Sequence, residues 1–102
     1  IVKTERVAAL LARHGARILH RLLNPHNPDT ITHGMGAERV AARWALREAA
    51  YKASSPFLKF SQIHICGGED GVPKVVGNGV RFCGSISHDG GMAAAVVIAF
   101  KE

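Results

Sequence analysis

The chain is poor in cysteine: Cys66 and Cys83 are the only two, each in an apolar or glycine-flanked stretch, and they form no Cys-x-x-Cys pair. That spacing predicts reduced structural thiols rather than disulfides, and hence an intracellular compartment. The six histidines, at 14, 20, 26, 33, 64 and 88, include no H-x-x-x-H pair, so no zinc site is expected. No apolar run approaches the roughly 18 residues that cross a bilayer, and the alanine-rich end at Met92–Phe100 is far too short. The sequence also has no signal-peptide pattern, and Ile1 is not an initiator methionine, so further residues are expected upstream. Only six residues are aromatic, too few to stack a row of nucleic-acid bases. Acidic residues are outnumbered, eight against thirteen basic ones, and the net charge of +5 favours an anionic partner.

Within 102 residues, 47% of them hydrophobic, there is material for one modest core, and a single domain spanning 1–102 is expected. Val7, Leu11, Ile18 and Leu22 fall on one helical stripe and predict a first helix over Thr4–Leu23, ended by Asn24-Pro25. A loop follows to Gly36. Glu38–Ala53, rich in Ala, Arg and Glu and free of Gly and Pro, predicts a second helix, stopped by Ser54-Ser55-Pro56. Alternation over Phe60–Ile65 then reads as a strand, with turns at Gly67–Gly71, Gly77–Gly79 and Asp89–Gly91. Lys74–Val76, Val80–Cys83, Ser85–His88 and Ala94–Phe100 fill the intervals as strands. Two main helices followed by a meander of strands indicate an α+β fold with a small antiparallel sheet.

Three groups of residues can carry chemistry. Glu48 and Lys52 lie four apart on one face of the second helix, with Trp44 one turn earlier. On a plain reading they are a surface ion pair beside a core tryptophan; on a functional one, the carboxylate binds a divalent cation while the lysine neutralises phosphate. Ser85-Ile86-Ser87-His88-Asp89-Gly90-Gly91 puts hydroxyl, imidazole and glycine amides at a turn suited to a phosphate, and the absence of G-x-S-x-G argues against a serine hydrolase. On the first helix, Lys3, Arg6, Arg13, Arg17 and Arg21 oppose the apolar stripe, with Leu10 among them. That face is either simply solvated or a landing surface for an acidic helix.

Arg43-Trp44-Ala45-Leu46-Arg47-Glu48-Ala49-Ala50-Tyr51-Lys52 resembles a signature of the 4'-phosphopantetheinyl transferase superfamily, Ser85-Ile86-Ser87-His88 resembles a second, and Asp70-Gly71-Val72-Pro73 resembles its Gly-x-Pro turn. Arg47 stands where that family usually carries Lys, and the stretch from Lys74 to Ser85 is shorter than in many relatives. The small size is similar to the holo-acyl-carrier-protein synthase type, a half-size domain assembling as a trimer with sites between subunits. The family's first signature, a Gly-x-Asp followed by an Arg, is matched by Arg6, which places the family's metal-binding Asp immediately before Ile1.

The resemblance implies transfer of 4'-phosphopantetheine from coenzyme A to a serine of apo acyl carrier protein, with Mg²⁺ as cofactor and release of 3',5'-ADP, in support of fatty acid biosynthesis. Glu48 would be the metal and catalytic carboxylate, and Lys52 would be catalytic and meet the diphosphate. Arg43, Pro73 and His88 would join Lys52 in binding coenzyme A, while Arg6, Leu10, Arg13 and Trp44 would receive the carrier protein. Arg43 and Lys52 lie about half a helical circumference apart, so both reach one ligand only across two subunits. The bacterial cytoplasm or mitochondrial matrix is the expected location, with no membrane or nucleic-acid partner. A non-catalytic carrier-binding subunit and a basic nucleic-acid-binding module are the alternatives.

Overall fold

The structure, a computed structural model, describes residues 1–25, 36–67 and 72–102. The expected loop at 26–35 and most of the Gly67–Gly71 turn, with Asp70 and Gly71 of the proline motif, lie outside the described residues.

The predicted first helix is two helices. Strand β1 (Val2–Lys3) leads into α1 (Thr4–His14), which stops at Gly15, and α2 (Arg17–Leu23) restarts after it. Gly15 takes φ of 69° while its N–H donates to the Leu11 carbonyl at 2.8 Å, a positive-φ helix end that glycine adopts readily because it has no Cβ. Ile18 and Leu22 still reach the core, since the apolar stripe resumes after the break. Asn24, also left-handed at φ 44°, closes α2, and its side-chain amide donates to the carbonyls of Ser61 and Ile63, pinning the helix end to the next segment.

Helix α3 (Ala37–Ser54) extends one residue beyond the expected span at each end. Its helix-forming composition sets its existence, but packing sets its burial: Val40, Ala41, Ala42, Trp44, Ala45, Leu46 and Ala50 are all buried, and they are distributed around the helix rather than along one stripe. The expected strand over Phe60–Ile65 begins late. Phe60–Gln62 forms a 3₁₀ turn, because the Gln62 side chain accepts the Lys59 N–H at 2.8 Å, and β2 occupies His64–Gly67.

Strand β2 pairs with β3 (Pro73–Val76) in a two-stranded antiparallel ribbon. Strands β4 (Val80–Asp89) and β5 (Met92–Lys101) form a long hairpin, and β1 adds to β5, giving the order β1–β5–β4. The segments expected as separate strands at Val80–Cys83 and Ser85–His88 are one continuous strand. Glycines 90 and 91, at φ 58° and 75°, make the tight turn.

Because side chains alternate across a strand, this sheet has two unlike faces. Ile86, Ala95 and Val97 pack beneath α3, and Phe82 and Ala99 join a second cluster around Ala50, Leu58 and Ile63. On the other face Val96, Ile98, Met92 and Phe100 remain 71%, 58%, 42% and 41% exposed. No helix among the described residues is long and apolar enough to cross a membrane.

Candidate active site

The paired residues expected from the sequence lie on α3. Glu48 is half-buried and Lys52 exposed, one turn further along the same row. Among the described residues neither has a hydrogen-bond or ion-pair partner, so the two do not form the surface salt bridge of the plain reading. Glu48 is the acidic member of this row, and no group of three or more His, Cys, Asp or Glu gathers among the described residues. That donor set does not make a closed zinc or calcium cage. It fits Mg²⁺, which keeps several waters and takes one or two carboxylates beside substrate phosphates.

The residue between Trp44 and Glu48 on the helix surface, Arg47, is 3% exposed. Its Nε donates to the Ile63 carbonyl at 2.9 Å, Nη1 to the Arg21 and Leu22 carbonyls at 3.0 Å each, and Nη2 to the Phe60 carbonyl at 2.8 Å. The guanidinium also lies 3.7 Å over the Phe60 ring. Burial lowers its pKa, but four carbonyl acceptors satisfy the planar fork. Arginine suits this position because a point-like ammonium cannot address four carbonyls spread over α2, the 3₁₀ turn and the residue before β2.

Arg43 is half-buried, with Nη1 donating to the Arg39 carbonyl at 3.2 Å, and burial, aided by the Arg39 charge, lowers its pKa. It lies on a different side of α3 from Lys52. Pro73 opens β3 and lines a cavity of about 330 Å³ floored by Leu46, Gly84 and Val97. His88 lines a separate cavity of about 270 Å³ with Thr4, Glu38, Asp89 and the Gly90-Gly91 turn. There the Glu38 carboxylate meets Nδ1 of His88, a contact in which both side chains are more than half exposed. Glu38 stands ten residues before Glu48, which on a helix is about 15 Å. The sequence singled out His88 but not Glu38, whose partner is 50 residues away and leaves no mark in local spacing.

On α1, Arg6, Leu10 and Arg13 share one face. Arg6 and Arg13 are exposed, and the Arg6 guanidinium lies 5.1 Å over the Trp44 ring. Leu10 is half-buried against the core, because α1 packs over α3 along this side. Trp44 is core, as on the plain reading, 8% exposed, and lies as a platform under Arg6.

The sequence matches the family model of the 4'-phosphopantetheinyl transferase superfamily over residues 1–99. The chain belongs to that superfamily. Within it the relatives are of the holo-acyl-carrier-protein synthase type. The chain is 32% identical to a holo-[acyl-carrier-protein] synthase of Acidithiobacillus ferrooxidans, with 96% of this chain and 90% of that one aligned. It is 35% identical to one of Shewanella baltica over 80 residues, which covers 74% of this chain and 63% of the relative, so the aligned stretch is less than two thirds of that relative's length. Among solved structures, the holo-[acyl-carrier-protein] synthase of Helicobacter pylori, in complex with coenzyme A, superposes with a TM-score of 0.74 at 26% identity, covering 97% of this chain and 95% of that one. The α+β arrangement of this superfamily member is therefore the holo-synthase fold.

Proposed function

We propose that the protein transfers the 4'-phosphopantetheine arm of coenzyme A to a serine of an apo acyl carrier protein, with Mg²⁺, releasing 3',5'-ADP and serving fatty acid biosynthesis. The observation that carries this reading is a superfamily match over nearly the whole chain, and it is supported by a half-buried carboxylate, Glu48, one turn from Lys52 on α3, neither with a partner among the described residues. Glu48 would hold Mg²⁺, and the ion would neutralise the coenzyme A diphosphate when bound.

The chain's own groups do the rest. The carrier serine Oγ attacks the β-phosphorus, forming an O–P bond as the bond to the α-phosphate oxygen breaks and 3',5'-ADP leaves. Lys52 Nζ meets the diphosphate, steadies the charge gathering on the leaving oxygen and can supply its proton, while Glu48 is the carboxylate at hand to take the serine proton. Arg43, Pro73 and His88 are assigned to the nucleotide end of coenzyme A. Arg6 and Arg13, with Leu10 and Trp44 beneath them, supply a basic face for an acidic carrier helix.

Pro73 and His88 line different cavities, and Arg43 and Lys52 occupy different sides of α3, which supports a homotrimer in which a neighbouring copy completes each site. The exposed apolar face of β5 supplies the surface such an assembly would bury.

Incubation of the full-length protein with Mg²⁺, coenzyme A and apo carrier protein should add the phosphopantetheine mass to the carrier, read by mass spectrometry. Glu48→Ala should abolish transfer and leave the circular dichroism spectrum unchanged. No mass increment on any of several apo carriers from wild-type protein sinks the proposal.

A further inference from the structure

Resting on that reading, we propose that Arg39 joins Arg43 in a two-arginine clamp for the phosphomonoester at the nucleotide end of coenzyme A, the group that departs as the 3'-phosphate of 3',5'-ADP. The two arginines stand four positions apart on α3, about 6 Å along its axis and about 40° around it, so they share one face. Arg43 is half-buried and Arg39 exposed. The Arg43 guanidinium folds back toward Arg39, with Nη1 donating to the Arg39 carbonyl at 3.2 Å. That uses one of the five N–H donors of a guanidinium, and the others meet no acceptor among the described residues.

Among the described residues, no carboxylate neutralises this pair. The positions three and four away within α3 hold Val40, Ala42, Leu46 and Arg47, none of them acidic. Glu38 adjoins Arg39 in sequence but lies about 100° around the helix, and it meets His88 instead. Arg6, Arg47 and Arg81 each lie over an aromatic ring, whereas Arg39 and Arg43 have neither ring nor carboxylate. Like charges four apart on a helix repel, and burial followed by the Arg39 charge lowers the Arg43 pKa. In the free protein the pairing is unfavourable, and a bound anion relieves it. A phosphomonoester carries nearly two negative charges at neutral pH, which matches two guanidinium groups, and its three oxygens suit their planar forks. Lys52, assigned to the diphosphate, occupies the other side of α3, so the two arginines meet a different phosphate, in the site completed by a neighbouring copy.

Calorimetric titration of the full-length protein with coenzyme A and with 3'-dephospho-coenzyme A, which lacks only that phosphomonoester, tests the clamp. Wild type should bind coenzyme A more tightly than the dephospho form. Arg39→Ala should weaken coenzyme A binding about five- to tenfold, between the effect of an exposed ion pair and that of a full charged hydrogen bond, and leave the dephospho form within about twofold. Retained binding of the dephospho form shows that the variant is folded. Arg39→Lys, which keeps the charge but not the fork, should fall between wild type and alanine. Lys59→Ala removes an exposed charge just before the 3₁₀ turn and should leave both affinities unchanged. Equal weakening of both ligands by Arg39→Ala, weakening of neither, or a wild type that does not distinguish them overturns the clamp, while transfer of the phosphopantetheine mass still upholds the proposed function. A wild-type protein that neither binds coenzyme A nor transfers its arm overturns both.

Discussion

Replacing Arg47 with methionine removes the one group among the described residues that ties α2, the 3₁₀ turn and the start of the ribbon to α3 at one point. Methionine has nearly the length of the arginine stem but no donor, so the carbonyls of Arg21, Leu22, Phe60 and Ile63 all lose a charged partner at 2.8–3.0 Å. Two of these carbonyls lie in the last turn of α2, where the helix itself offers no donors. A hydrogen bond to a charged group contributes about 1.5–3 kcal/mol, and the four share one guanidinium, so simple addition overstates the sum; about 3–5 kcal/mol is the expected loss. For a chain of 102 residues, total stability is about 5–15 kcal/mol, so Arg47→Met should sit near the edge of folding. In urea the midpoint should fall by about 2–3 M, followed by circular dichroism and by the fluorescence of Trp44, the single tryptophan. Arg47→Lys should fall between, losing about 1–3 kcal/mol, because three donors radiate from one atom. A methionine variant within about 1 kcal/mol of wild type, or a lysine variant less stable than the methionine one, would refute the clamp.

Two further substitutions test the sheet. A Cβ on Gly84 would lie 2.9 Å from the Leu46 Cδ1 and 3.2 Å from the Val97 Cγ2. The Leu46 tip can swing aside for alanine but not for a branched residue, so Gly84→Ala should cost under about 1 kcal/mol and Gly84→Val about 1–3 kcal/mol in the same urea assay, and a valine variant as stable as wild type contradicts the packing. On the opposite face, Val96→Glu should lower the light-scattering mass of the proposed trimer to that of one chain; an unchanged mass would remove β5 from the assembly surface.

Much of this architecture is legible in residue order, and the exceptions share a cause. Helix α3 was foreseen to within one residue at either end because Ala, Glu and Arg favour helix, with no Gly or Pro within the span. Gly15 is different: the apolar spacing from Val7 to Leu22 runs through it unbroken, so periodicity joins two helices that a single positive φ separates. The 3₁₀ turn at Phe60–Gln62 likewise hides inside an alternating stretch, betrayed only by a Gln62 side chain folding back on Lys59. In the proposed site, the nearness of Glu48 and Lys52 could be read from their spacing on one helix, while the roles proposed for them come from the family resemblance. The contacts of Arg47 and Glu38 could not be foreseen, because their partners come from elements 13 to 26 and 50 positions distant.

The close fit around α3 also limits how this sequence can drift. Ala41, Ala42, Ala45 and Ala50 are buried on different sides of the helix, so each marks a direction in which a neighbour has come as near as a methyl group allows. Any larger residue there must push an entire element away, whereas Ala37, Glu38, Arg39, Arg43, Glu48, Ala49, Tyr51, Lys52 and Ala53 retain some exposure. Evolution can retune what the helix binds through those nine positions. Its diameter is held constant by the rest.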